Sequence, residues 1–264
     1  MVLKFIHVTD THLVESGHAL YGLDPKKRIS QCIDSILEWH ADAHVCVITG
    51  DLAHVGHPDA YRQLKEQLAR LPMPVFPILG NHDHRGNFRH YFPEVQADEN
   101  GFIQYEVRIG EYRGLFLDTN EPGVSHGVLC ERRAQWLTSK LAEDDRPVLL
   151  FMHHPSFALG IPSMDRIALL QPQHFFAALQ GHEARIRHLF FGHIHRPIFG
   201  SWRGIPFSTM RGTNHQVALH LHDTASIPGS HEPPQYSVVL LDGETVTVHV
   251  HDFLDRSDRF WLGE

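Results

Sequence analysis

The 264-residue sequence predicts a mixed α/β protein on the strength of three observations. Short apolar runs rich in Val, Ile, Leu and Phe recur at residues 3–9, 45–49, 75–79, 148–152 and 188–191, with the length and composition of buried strands. Amphipathic stretches separate several of them, an alternation that lays helices against a sheet. Each run also ends in a polar cluster, and the C-terminal edges of strands are where open α/β sheets hold ligands.

Taken in order, the first run is followed by Asp24 and Pro25, an N-cap and a first-turn proline, opening a helix that carries Ile29, Cys32, Ile33, Ile36 and Leu37 on one face. Residues 59–71 give a second amphipathic helix, and 131–141 and 173–179 give later ones. Strand-like segments at 103–109 and 114–117, with a hairpin of 236–241 and 244–250 around Asp242-Gly243, call for a second, mixed or antiparallel sheet. Residues 223–235 are rich in Pro, Gly, Ser and His without periodicity and read as a long surface loop or arm.

Composition narrows the function. Apolar residues at 42% and charged residues at 20% describe an ordinary globular chain, and 264 residues can form one large domain. A net charge of -8 disfavours a surface built for long nucleic acids, which calls for a basic face. The first strand begins almost at Met1 and no apolar stretch has membrane-spanning length, so the expectation is a cytoplasmic protein with no membrane partner. Cys32, Cys46 and Cys130 lie too far apart in sequence for a zinc knuckle or redox pair. The unusual figure is 24 histidines, the residue that serves both as metal ligand and as proton carrier near neutral pH.

The clusters that close the five runs are Asp10-Thr11-His12, Gly50-Asp51, Gly80-Asn81-His82-Asp83, His153-His154-Pro155 and Gly192-His193-Ile194-His195. Singly, each is the kind of group that makes turns. Their joint order, each at a strand end, resembles the calcineurin-like metallophosphoesterase superfamily, and within it the bacterial class III cyclic-nucleotide phosphodiesterases and binuclear glycerophosphodiesterases. Leu20-Tyr21-Gly22, the segment from Leu159-Gly160 to Met164-Asp165, and Gly212-Thr213-Asn214-His215-Gln216 resemble the latter subgroup.

That resemblance implies a four-layer α-β-β-α sandwich of two mixed sheets flanked by helices, formed by 1–264 as a single domain. Residues 219–264 would then supply a C-terminal arm and hairpin for oligomer contacts or for covering the site. It also implies two divalent or mixed-valence metal ions, one on Asp10, His12, Asp51 and His195, the other on Asp51, Asn81, His153 and His193. Asp51 bridges both, and the neutral imidazoles and the Asn81 amide coordinate without cancelling charge. Nitrogen and oxygen donors of this kind accept Mn, Fe, Co or Zn.

Ions roughly 3.5–4 Å apart would hold a hydroxide and a phosphoryl oxygen together for in-line attack. His82 resembles the family's catalytic histidine, which assists the leaving alkoxide. Asp83 is either its orienting partner or an exposed turn carboxylate. His215, Tyr21 and Ser125 are candidates for the substrate side or the outer surround of the metals, and His154 for a supporting residue. Phe157, Leu159, Ile161 and Met164 either wall an alcohol pocket or pack in the core. His220 with His222, and His249 with His251, read as solvated strand pairs, while His54, His57, His84 and His90 match no ligand position.

The function implied is hydrolysis of a small-molecule phosphodiester, a glycerophosphodiester or a cyclic nucleotide such as cAMP, by a homo-oligomer, either a dimer or an assembly of dimers. The alternatives are a phosphomonoesterase of the same superfamily and a non-catalytic scaffold like the phosphoesterase-like subunit of the retromer coat. The scaffold reading is disfavoured because all seven ligand positions and His82 carry competent side chains. A protein phosphatase would carry Gly-Asp-x-x-Asp-Arg-Gly, where this chain reads Gly50-Asp51-Leu52-Ala53-His54-Val55-Gly56.

Overall fold

The computed structural model describes residues 2–263. In chain order its elements are β1 (Leu3–Val8), α1 (Pro25–His40), β2 (Val45–Thr49), α2 (Pro58–Leu68), β3 (Val75–Ile78), α3 (Arg85–Tyr91), β4 (Tyr105–Ile109), β5 (Tyr112–Phe116), β6 (Gly127–Val128) and α4 (Glu131–Glu143). There follow β7 (Val148–Met152), α5 (Pro162–Asp165), β8 (Leu169–Leu170), α6 (Gln173–Leu179), β9 (Ile186–Phe191), β10 (Ile198–Trp202), β11 (Ile205–Thr209), β12 (Gln216–Val217), β13 (Gly229–Ser230), β14 (Gln235–Asp242) and β15 (Thr245–Asp252).

Two mixed sheets carry the fold. One has the order β15-β14-β1-β2-β3, the other β10-β11-β9-β7-β5-β4. The five apolar runs therefore divide three and two. β1, β2 and β3 run parallel in the first sheet, and β5, β7, β9 and β11 run parallel in the second. The C-terminal hairpin does not extend the second sheet as its sequence position suggested. β14 pairs antiparallel with β1, Leu3 opposite Leu241 and His7 opposite Ser237, so it widens the first.

Alternation along β7 and β9 explains the layering. Phe151 and Phe190 point between the sheets and join Phe5 of β1, while Leu150, Met152, Leu189 and Phe191 point outward to Leu137 and Leu141 of α4 and to Phe175 and Leu179 of α6. On the far side, α1 and α2 bury Ile29, Ile33, Ile36 and Leu64 against the first sheet. Phe116, Phe151 and Phe190 stack in series with centroids 4.6 and 5.1 Å apart, and Phe5 meets Phe190 edge-on at 5.5 Å. No described helix is long and apolar enough to cross a membrane.

Local chemistry sets the element ends. Asp24 caps α1 by accepting from Lys27 N at 3.1 Å, with Pro25 in the first turn. α2 begins one residue earlier than its apolar pattern suggested, because the His57 ring nitrogen accepts from Asp59 N at 3.2 Å and Pro58 follows it. β4 begins at Tyr105 and not at residue 103, since Ile103 N donates to the buried Asp118 carboxylate at 2.8 Å instead of to a strand.

Phe151→Ala is expected to lower the unfolding free energy by about 3–5 kcal/mol, because it opens a cavity in the stack that joins the two sheets. Urea denaturation of the two proteins side by side measures it. A change below about 1 kcal/mol would show that the inter-sheet stack does not carry the packing described.

Candidate metal centre

The parallel strands of both sheets end on a common rim, and their last residues turn sharply. Eight non-glycine residues have positive φ among those described, and five of them are Asp10, His12, Asp51, His193 and His195, with φ between 44° and 70°. This left-handed backbone costs on the order of 1–2 kcal/mol per residue, so its concentration here marks a place where side-chain direction outweighs backbone ease. Backbone bonds hold the turns together: Asp10 N donates to Gly50 O at 3.1 Å and His12 N to Asp51 O at 2.8 Å.

The side chains gather into two acceptor groups that share Asp51. In the first, His12 Nε2 lies 3.1 Å from His195 Nε2 and 3.4 Å from Asp51 Oδ2, and His195 Nε2 lies 3.3 Å from Asp10 Oδ1. In the second, Asn81 Oδ1 lies 3.2 Å from His153 Nε2 and 3.0 Å from His193 Nδ1, and His153 Nε2 lies 3.4 Å from Asp51 Oδ1. The structure thus brings all seven expected ligands together, each oxygen of Asp51 facing a different group.

The protonation pattern tests whether a cation fits. His195 Nδ1 donates to His215 O at 2.8 Å and His153 Nδ1 donates to Thr49 O at 2.7 Å. A neutral imidazole carries one proton, so Nε2 of each is bare and faces a carboxylate oxygen, that of Asp10 for His195 and that of Asp51 for His153. Lone pairs set against each other at 3.3–3.4 Å in a buried site repel unless positive charge sits among them. Without a cation the cluster draws in protons: burial pulls His153 down, but the charge and hydrogen bond of Asp51, then Asp10, lift it to about 9. Burial likewise opposes His195, which the Asp10 carboxylate raises. His193, with less compensation for its burial, drops to about 3. Imidazole nitrogen, carboxylate and amide oxygen in groups of four suit first-row divalent ions.

Glycines make this density possible. A Cβ on Gly80 would stand 2.1 Å from Asp51 Oδ1 and 2.4 Å from its backbone nitrogen, and one on Gly50, at φ +92°, would meet the His153 ring at 2.5 Å. Gly80, which precedes Asn81, is therefore the clearance for the Asp51 carboxylate, and Gly50 the clearance for the His153 ring.

Asp83 is neither an orienter of His82 nor an exposed turn residue. It is buried, and its carboxylate accepts from Leu52 N and Ala53 N at 3.0 Å, Gly80 N at 2.9 Å and Tyr61 OH at 2.9 Å, tying the Asp51 loop to the Asn81 loop. His82 is held instead by Nδ1 donating to His54 O at 2.6 Å and by its backbone N–H donating to Asp51 Oδ1 at 2.9 Å. His154 is fully buried, with Nδ1 2.8 Å from Thr119 Oγ1.

A cavity of about 510 Å³ opens over the cluster, lined by Tyr21, His54, His82, Ser125 and His215 among others. Its apolar wall is Met164, Ile167, Val217 and Ile227. Phe157, Leu159 and Ile161, considered for that wall, pack in the outer core, where Phe157 stacks on Trp202 at 5.2 Å. Residues 223–235 are not a free arm within this chain: β13 pairs with β12, and Ile227, Gly229, Ser230 and His231 line the cavity. Glu232 accepts from Arg196 at 2.7 Å and Arg211 at 2.9 Å, and the His231 ring bonds Tyr21 O at 3.0 Å.

The other histidines disperse. His220, half-buried, and His222, exposed, lie on irregular backbone and not on a strand, and His84 caps α3. His251, on β15, turns toward Ser35 at 3.3 Å. The residue missed in the sequence is His54, whose ring stacks on His82 at 4.8 Å and 17°. Its signal was its place three residues after Asp51, within a loop that cannot leave the rim.

Similarity to known proteins agrees with this geometry. The model of the family described as calcineurin-like phosphoesterase matches residues 3–197. The "probable cyclic nucleotide phosphodiesterase" of Rhodopseudomonas palustris is 44% identical over 98% of this chain and 96% of its own length. The "probable glycerophosphodiester phosphodiesterase" of Arcobacter nitrofigilis is 33% identical over 87% and 85%. The 3',5'-cyclic adenosine monophosphate phosphodiesterase of Escherichia coli K12 is 30% identical over 76% and 73%. Among solved structures, the purple acid phosphatase of yellow lupin seeds shares the fold, with a TM-score of 0.70 at 15% identity over 97% of this chain and 52% of that one.

Gly80→Ala is expected to keep the fold, with an unchanged circular dichroism spectrum, while weakening metal binding at least about tenfold as the new methyl displaces the Asp51 carboxylate. Titration of the metal-stripped protein with Mn²⁺ reads it, and wild-type affinity would contradict the clearance role of Gly80.

Proposed function

The chain belongs to the calcineurin-like phosphoesterase family, and on that premise we propose that it is a metal-dependent hydrolase of small phosphodiesters, acting on a cyclic nucleotide or a glycerophosphodiester. The observation that carries the reading is the pair of four-residue groups sharing Asp51, set at the floor of a cavity with His82 at its edge.

Asp10, His12, Asp51 and His195 would hold one cation and Asp51, Asn81, His153 and His193 the second, with Mn, Fe, Co or Zn suited to the mixed donors. When bound, such a pair supplies positive charge for the phosphoryl oxygens and acidifies a water to near-neutral pKa. The chain's own residues do the rest. Asp51 spaces the two groups and, through His82 N–H, fixes the loop that carries His82. With Nδ1 committed to His54 O, His82 presents Nε2 to the departing oxygen. As the water oxygen, its proton lost to solvent, bonds to phosphorus and the ester P–O bond breaks opposite, His82 in its doubly protonated form passes the Nε2 proton to the alkoxide and keeps the one on Nδ1. Met164, Ile167, Val217 and Ile227 exclude water from one side of the cavity and pack against the alcohol portion.

Asn81 and His82 also border a second cleft of about 450 Å³, lined on its far side by Val55, His84, Arg85 and Pro122. A linear diester has room for one alcohol in each cleft, and a cyclic diester needs the first alone. The reading extends to the cytoplasm and to a homo-oligomer, the latter supported by Leu219 and Leu221, apolar side chains about 60% exposed close in sequence to the cavity-lining residues of 223–235. Sedimentation showing monomers alone would remove the oligomer.

The decisive assay offers metal-loaded protein glycerophosphodiesters, 2',3'- and 3',5'-cyclic nucleotides and a generic monoester. Diesters are expected to be turned over with higher kcat/KM, and a preference for the monoester would replace this reading with a phosphomonoesterase. Asp51→Ala is expected to lose metal and activity together, whereas His82→Ala keeps metal and loses about 10²–10⁴ in kcat. Diester hydrolysis undiminished in Asp51→Ala would sink the mechanism.

A further inference from the structure

The loop between Asp51 and Gly56 is fixed on both sides. Leu13 N donates to Leu52 O at 3.0 Å, His54 N donates to Leu13 O at 2.9 Å, and Asp83 holds Leu52 N and Ala53 N from behind. The backbone thus has no freedom to carry His54 elsewhere. Its half-buried ring stands between two histidines of the centre, with Nδ1 3.3 Å from His12 Nδ1 and its face over His82.

The proton count at that contact is restrictive. His12 Nε2 faces His195 Nε2 and Asp51 Oδ2 at 3.1 and 3.4 Å, so as a ligand it must be bare there and carry its proton on Nδ1. That Nδ1–H points at His54 Nδ1, which must then accept, leaving the proton of His54 on Nε2. Ligating histidines commonly hand their second N–H to a carboxylate, carbonyl or water, which fixes ring direction and tautomer. Here the hydrogen-bond acceptor on His12 is another imidazole. The same residue's carbonyl accepts from His82 Nδ1 at 2.6 Å, which keeps a proton on Nδ1 and turns Nε2 to the substrate side.

Resting on the reading of His12 as a metal ligand, the geometry points to His54 as a positioning residue. Its ring nitrogen locks His12 with Nε2 toward the metal, while its carbonyl locks His82 with Nε2 toward the leaving group. One residue, matching no ligand position, thereby couples metal affinity at the His12 group to the orientation of the proton donor.

Two substitutions separate acceptor from ring. His54→Asn places Oδ1 where Nδ1 stands and keeps an acceptor for His12, whereas His54→Phe keeps a flat ring over His82 and removes the acceptor. The full chain, stripped of metal with a chelator, is titrated with Co²⁺ and followed by visible absorption and calorimetry. His54→Phe is expected to weaken one of two Co²⁺ sites about 10–100-fold, and His54→Asn to recover most of that loss. Should circular dichroism show that Phe is not accommodated, His54→Ala takes its place with the same expectation. Wild-type affinity in His54→Phe, or an equal loss in His54→Asn, overturns the role. Asp51→Asn run alongside keeps the two readings apart: if it retains both ions, the ligand assignment itself is wrong. If it loses them while His54→Phe does not, the failure belongs to His54 alone.

Discussion

The crowding of acceptor atoms around the Asp51 carboxylate is the constraint from which the rest of the architecture follows. Imidazole nitrogens, two carboxylates and an amide oxygen are packed at 3.0–3.4 Å, with Nε2 of His153 and of His195 each turned to a carboxylate oxygen. Neither backbone preference nor solvation favours it. Five of the seven residues sit in left-handed conformation, and six of the seven are buried. Such an arrangement persists only where the surroundings over-determine it. Here they do so through Asp83 binding two loops, Thr49 O and His215 O orienting imidazoles, and glycines that leave room for the Asp51 carboxylate and the His153 ring.

Two sheets are needed because one does not present enough strand ends. β1, β2 and β3 deliver Asp10, His12, Asp51 and Asn81, and β7 and β9 deliver His153, His193 and His195 from the opposite side. Cross-sheet bonds then register the halves: His193 N donates to Asp10 at 3.1 Å, His153 Nδ1 to Thr49 O, and the Asn120 amide to Gly80 O at 2.6 Å. The aromatic stack of Phe116, Phe151 and Phe190, with Phe5 against it, sets the spacing of the sheets beneath those bonds. Precision at the rim depends on rigidity several residues below it.

The parts legible in the sequence were those written locally. Residues 45–49 and 148–152 are strands over the range their apolar runs span, and Asp24-Pro25 opens a helix, because strand burial and capping are properties of neighbouring residues. The gathering of the seven residues at the rim was legible because each of them closes a buried run. What was not legible depends on pairing across the chain. Nothing in 236–250 tells which sheet edge it joins, since both faces of the choice read as the same alternation. Asp83 looks like a turn former until Tyr61 and Leu52 arrive from 22 and 31 residues away. His54 carries no motif, and only the folded loop shows its ring between His12 and His82.

The acidic balance of the chain is compatible with an anionic substrate once distances are considered. A net charge of -8 is spread over the whole surface, where charges more than about 8–10 Å apart are largely screened at physiological ionic strength. The cluster is buried and screened far less, and it contains two carboxylates, Asp10 and Asp51, alongside an amide and imidazoles that are neutral when they hold a cation. Two divalent cations there would exceed the carboxylate charge by two, matched against the single negative charge of a diester. The same subtraction explains why the remaining donors are histidine and asparagine. A third or fourth carboxylate would bind cations more tightly and leave less charge for phosphate, so the choice of neutral ligands is itself a statement about the substrate.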